Sequence, residues 1–113
     1  MENDQVKKID LVIDYVEYIV SGIVRQPNDI EINAKDVEYK NSDDIKYTVT
    51  NINVKVNDDD IKFVLGKGGK IADSIRILVH FFGINCDYPN KIAFRVDTPP
   101  KPKNHFYQNH ENG

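Results

Sequence analysis

Val64-Leu65-Gly66-Lys67-Gly68-Gly69-Lys70-Ile71 separates two stretches of helical apolar periodicity, and its three glycines decide how the rest of the chain is read. Glycine has no Cβ, so a chain can turn tightly there and bring its backbone up against a ligand. A helix beginning near Lys70 presents unpaired N–H groups and the positive end of its dipole, which together favour an anion. Lys67 and Lys70 place two full charges at the same spot. The stretch therefore reads as a seat for phosphate, the alternative being a plain connection between helices with glycine at a C-cap. The familiar nucleotide loops fail on spacing. A Walker loop requires Ser or Thr after its lysine, where Ile71 stands, and a dinucleotide fingerprint requires glycine at that same position.

Working outward, Ile61, Val64 and Leu65 give a short helix ending at Gly66. Ile71, Ala72, Ile75, Leu78, Val79 and Phe82 give a longer one that Gly83 is expected to close. Ahead of the short helix, Asn57-Asp58-Asp59-Asp60 lacks further ligands at calcium-loop spacing, so it reads as helix capping by an aspartate. The spacing of Ile9, Val12, Ile13, Val16, Ile19, Val20 and Ile23 predicts an opening helix over residues 6–23, capped by Asp4 and stopped by Pro27. Ile30, Ile32, Val37 and Tyr39 predict a half-buried strand interrupted around 34–36. Asn41-Ser42-Asp43-Asp44 is a turn cluster. In the next strand Ile45, Tyr47 and Val49 share one parity and Ile52, Val54 and Val56 the other, which predicts a bulge or bend near Thr50 and Asn51. After a turn at 87–90, Ile92, Phe94 and Val96 predict a last strand. Pro99, Pro100 and Pro102 predict an extended, disordered tail over 99–113.

The chain has 113 residues and a formal charge of −3, enough for one domain with a genuine core. The charge is segregated: residues 1–60 hold 7 Lys and Arg against 14 Asp and Glu, whereas residues 61–103 hold 8 against 3. The glycine loop lies in the basic part. Alternatively, acidic and basic faces simply keep a small domain soluble. Cys86 stands alone and reads as a small, partly buried apolar residue. With no basic n-region or long apolar run at its start, the chain is expected to be cytosolic and to cross no membrane. His80, His105 and His110 are tied by no motif to a nucleophile or carboxylate, so neither an enzyme nor a metal or cofactor site is expected.

The order helix, strand, strand, helix, helix, strand, with Gly66-Lys67-Gly68-Gly69 as a GXXG loop between the last two helices, resembles the type II KH domain. More narrowly, three stretches are similar to the small bacterial single-KH proteins of the KhpA family: Ile23 to Asp29, Val64 to Lys70, and Ile71 to Arg76. The resemblance runs from about Val6 to Asp97. The acidic turn at 41–44 and the tail at 105–113 depart from it. It implies an α+β fold of order αββααβ over residues 1–98, with a three-stranded mixed sheet packed against three helices. It also implies sequence-tolerant binding of single-stranded RNA in RNA metabolism or post-transcriptional regulation, the loop clamping about four nucleotides of backbone.

On that reading Gly66, Lys67, Gly68, Gly69 and Lys70 meet phosphate, and Arg76 and Lys62 flank them. Val64, Leu65 and Ile71 floor a groove, unless they are ordinary core, and Lys55 and Arg95 are outlying candidates. The loop region offers no stacking aromatic, so hydrogen bonds and apolar contacts take that place. Single-stranded DNA is an alternative ligand, and a protein-docking module using the acidic half is an alternative function. Ile77 and Phe81, with Ile84, lie beside the buried stripe of the long helix. They are expected to be exposed and to pair this chain with a second copy or with another KH-bearing protein, unless the opening helix covers them.

Overall fold

Residues 3–99 are described by a computed structural model, with side chains from Lys8 onward. The elements run α1 (Asn3–Ser21), β1 (Glu31–Lys40), β2 (Lys46–Lys55), α2 (Ile61–Leu65), α3 (Lys70–Asn85) and β3 (Lys91–Val96). The αββααβ order, three-stranded mixed sheet and three helices are as expected. The sheet order is β1-β2-β3, with β2 antiparallel to β1 and parallel to β3. A parallel neighbour cannot be reached by a hairpin, so the chain crosses over between β2 and β3. That crossover is α2, the glycine loop and α3.

All three helices lie on one side of the sheet. The α1 stripe Val12, Val16 and Val20 is fully buried against Ile52 and Val54 of β2, Ile75 and Val79 of α3, and Phe94 of β3. Each such side chain removed from water contributes about 1.5–3 kcal/mol. Tyr15 of α1 stacks on Phe82 of α3, with ring centroids 4.2 Å apart. Beneath α1 the buried Thr50 hydroxyl donates to Asp36 Oδ1 at 2.7 Å and accepts from Tyr88 and from Asn90 Nδ2, tying β1 and β2 to the turn before β3.

Several expectations are corrected. The helix begins at Asn3, so Asp4 lies inside it. It ends at Ser21, well before Pro27, which instead opens a 3-10 turn over Pro27–Asp29. Gly83 does not close α3; it is buried inside the helix, where a Cβ would stand 2.9 Å from Ile92 Cδ1, so the glycine lets helix and strand approach. Leu78, assigned to the buried stripe, is exposed. The interruption in β1 and the bulge in β2 are absent, because Glu31 to Lys40 pair without a break against Lys55 to Lys46. The two apolar parities are real but serve opposite faces: Ile52 and Val54 face the helices, and Tyr47 and Val49 the uncovered side. The turn at 41–44 forms as expected, with Asn41 Oδ1 accepting from the N–H groups of Asp43 and Ile45. Cys86 is partly buried at the end of α3. Beyond Pro99 the expected tail, with His105 and His110, lies outside the described residues.

The acidic run at 58–60 divides into separate roles. Asn57, not an aspartate, is the side-chain cap, its Oδ1 accepting from Asp59 N–H at 2.9 Å. Asp60 is 1 % exposed, and its carboxylate accepts the backbone N–H of Gln26 at 2.9 Å, holding the turn after α1 to the start of α2. Removing it takes away the part-buried partner of that N–H and empties a buried position. Asp60→Ala is therefore expected to cost about 1–3 kcal/mol in urea unfolding followed by circular dichroism. The exposed neighbours Asp58→Ala and Asp59→Ala should stay within about 0.5 kcal/mol of wild type.

Candidate nucleic-acid interface

The glycine loop is built from three backbone conformations of positive φ. Gly66 (φ 74°, ψ 174°) closes α2, its N–H donating to the Lys62 carbonyl at 2.9 Å. Its dihedrals fall in a region essentially reserved for glycine. Gly68 (φ 64°, ψ 18°) and Gly69 (φ 77°, ψ 12°) are left-handed, in a 3-10 turn closed by Gly69 N–H on the Gly66 carbonyl. The glycines differ in what surrounds them. A Cβ on Gly66 would lie 2.5 Å from Ile71 Cγ1, so the side chain that follows the loop packs onto the glycine that precedes it. A Cβ on Gly68 or Gly69 would meet nothing within 4 Å. The first glycine is a packing requirement and the other two expose bare backbone.

No side chain caps the N-terminus of α3, whose first turn starts at Lys70 directly behind the exposed glycines. Lys67, Lys70 and Lys62 are all exposed around this end. The geometry thus gathers a stretch of side-chain-free backbone, a helix N-terminus and three ammonium groups, an arrangement suited to a chain of phosphates.

The remaining candidates are sorted by burial. Val64 is fully buried in the core and cannot floor a groove; Leu65, partly buried, and Ile71, 39 % exposed, are the apolar surface beside the loop. Arg76 is partly committed, its Nε donating to the Phe94 carbonyl at 3.1 Å and its Nη1 pairing with Asp73, so it braces α3 against β3 while leaving part of the guanidinium in water. Lys55 and Arg95 lie on β2 and β3, on the sheet face away from the helices.

One aromatic outside the sequence-based candidates stands in the helix before the loop. Phe63, in α2, is partly exposed, with the Arg25 guanidinium carbon 4.9 Å and Lys62 Nζ 5.3 Å from its ring centroid. Its place outside the Ile61, Val64 and Leu65 stripe was the available signal. Among the described residues no group of three His, Cys, Asp or Glu side chains could hold a metal ion, and no helix is long and apolar enough to cross a membrane.

Over 73 residues the chain is 33 % identical to RNA-binding protein KhpA of Mycobacterium leprae, a match covering 65 % of this chain and 80 % of that protein. The chain belongs to the KhpA family. A second KhpA relative, from Mycobacterium tuberculosis, is 32 % identical over the same shares of the two chains. No family model matches. Among solved structures the fold is similar to that of Era in a complex with MgGDPNP and 16S ribosomal RNA, with a TM-score of 0.57 at 15 % identity. The match covers 80 % of this chain and 31 % of the Era chain, so the chain spans about a third of Era. A structure of Aquifex aeolicus Era bound to GDP and aluminium fluoride matches equally, with a TM-score of 0.57. Both support the KH fold of this KhpA relative.

The contrast among the glycines is measurable. Gly66→Ala should destabilise by about 2–4 kcal/mol, combining a glycine-only backbone with overlap onto Ile71. Gly68→Ala should cost only the left-handed backbone, about 1–2 kcal/mol. In a double-mutant cycle by chemical denaturation, Ile71→Ala should recover the overlap part of the Gly66→Ala loss and none of the Gly68→Ala loss.

Proposed function

We propose that this protein binds single-stranded RNA at the loop from Gly66 to Gly69, without strong sequence preference and without catalysis. The observation that carries the reading is the open space around Gly68 and Gly69 in front of the uncapped start of α3. The phosphate backbone lies against the bare Gly68 and Gly69 backbone, Lys67 and Lys70 neutralise its charge, and Lys62 and the free part of Arg76 flank the path. Bases splay from the backbone onto Leu65 and Ile71. The names of the KhpA relatives support RNA over single-stranded DNA. A role in RNA metabolism or post-transcriptional regulation, in the cytoplasm, follows from that reading.

Replacing Lys67 and Gly68 together by aspartate puts two negative charges in the phosphate seat. It should abolish binding of hexauridylate in fluorescence anisotropy while circular dichroism stays unchanged; retained binding would place the seat elsewhere. For wild type, log Kd against log salt should have a slope of magnitude about 2–3, since a single strand releases about 0.7 counterion per neutralised phosphate and three or four cations take part. Single-stranded DNA and duplex RNA serve as the comparison ligands.

A second property rests on a different surface. Ile77, Phe81 and Ile84 of α3 are 58 %, 57 % and 56 % exposed, with Leu78 beside them. Leu11 and Tyr18 of α1 are also exposed and lie on the same side of that helix as Tyr15, which stacks on Phe82. So large an apolar surface on a small domain marks an interface, and a two-fold pairing of this face with a second copy would put two loops on one particle. Wild type should sediment as a dimer at high concentration and Phe81→Glu as a folded monomer. A wild-type monomer would leave a different KH-bearing partner as the occupant.

A further inference from the structure

The uninterrupted register of the hairpin gives the sheet a second face that no helix covers. Alternate residues of each strand point there, opposite in parity to Thr50, Ile52, Val54 and Phe94, which face the helices. Tyr39 and Tyr47 sit directly across from each other on this face. Their rings stack with centroids 5.6 Å apart, and they are 44 % and 45 % exposed. Behind them Val37 pairs with Val49 to form their apolar base.

The strands carry more cations than acids on this face, while the turn beyond the tyrosines holds Asp43 and Asp44, the latter paired with Lys40. Lys35 lies across from Asn51, Lys91 beside Val49 and Arg95 beside Asn53, so none of these exposed cations has an acid across the register. Glu31, the acid that β1, β2 and β3 contribute to the face, stands opposite Lys55 at the far end from the tyrosines. The other acids of β1 are turned away: Asp36 points to the helix side, where it accepts the Thr50 hydroxyl, and Glu38 shares its parity. An apolar protein partner is poorly matched by a face on which Lys35, Lys91 and Arg95 have no acid across the register. An aromatic pair, flanking amides and cations in one open surface do match unstacked bases on a phosphate backbone.

We propose that the open sheet face is a second contact surface for single-stranded RNA, a base stacking on the Tyr39 and Tyr47 pair while Lys35, Lys91 and Arg95 hold phosphates. The proposal rests on the RNA-binding reading of the loop and extends it to strands longer than the loop can clamp. It is compatible with the net charge of −3, since two of the three acids of β1, Asp36 and Glu38, are turned off this face and β2 contributes none.

The test compares hexauridylate with a uridine 15-mer on the full chain at fixed salt. Tyr39→Leu with Tyr47→Leu keeps apolar cover on Val37 and Val49 while removing the rings. It should weaken the 15-mer about tenfold, within the range for loss of a stacked base, and leave hexauridylate unchanged. Lys35→Glu with Lys91→Glu, which alters exposed side chains only, should lower the salt slope for the 15-mer by about 1.4. A 15-mer carrying 4-thiouridine should photocrosslink to β1 and β2 at the tyrosines. Equal 15-mer affinity in wild type and both variants, or crosslinks confined to residues 62–71, overturns the platform while the loop reading stands. Wild type binding neither strand overturns both. Variants that shift sedimentation but not RNA affinity make the face a protein interface and overturn the proposal.

Discussion

β2 is hydrogen-bonded along both edges, and the rest of the molecule depends on that double pairing. Its antiparallel edge is satisfied by a hairpin needing only the 41–44 turn. Its parallel edge can be satisfied only if the chain leaves the sheet, passes over one face and returns in the same direction. Everything between Lys55 and Lys91 is that passage, so the glycine loop is held in a crossover whose two ends are fixed by the sheet. α3 must run back across the core to deliver β3 beside β2, with its N-terminus left at the loop. Arg76, bonded to the Phe94 carbonyl, and Gly83, under Ile92, fasten the helix to the strand that it precedes.

Much of this was legible from residue order alone. Apolar spacing gave the helices because the core stripe of each, such as Val12, Val16 and Val20, meets one neighbour with one face. The same logic failed in the hairpin. A change of parity within a strand requires a bulge only where the strand has a single apolar face. Here Tyr47 and Val49 are apolar on the uncovered side, so the parity change marks two surfaces on a regular strand. No local pattern separates those cases; the unbroken pairing of β1 with β2 does.

The candidate site was legible in its backbone and less so in its side chains. Glycines announce positive φ, which is why the loop and its helix start could be placed. Which side chains around it are available depends on tertiary burial. Val64 and Leu65 are adjacent and chemically alike, yet only Leu65 reaches the surface by the loop, and Phe63 gained its place from Arg25, a residue of the turn after α1. Asp58, Asp59 and Asp60 are identical in sequence, and only the last is buried against a distant N–H group.

The reversed handedness of the loop also limits where this family member can adapt. Gly66, Gly68 and Gly69 hold conformations that are natural for mirror-image residues, and Gly66 is further pinned by the Ile71 side chain. Gly66 is thus closed to side-chain chemistry and the left-handed Gly68 and Gly69 disfavour it, leaving Lys67 as the loop position that carries a side chain at no backbone cost. On the proposed reading of the loop, discrimination among ligands falls to the flanks, to Lys62 and Leu65 before the loop and Lys70 and Ile71 after it. Sequence drift in α2 and the first turn of α3 would then change the surface around the proposed clamp while the loop backbone stays the same.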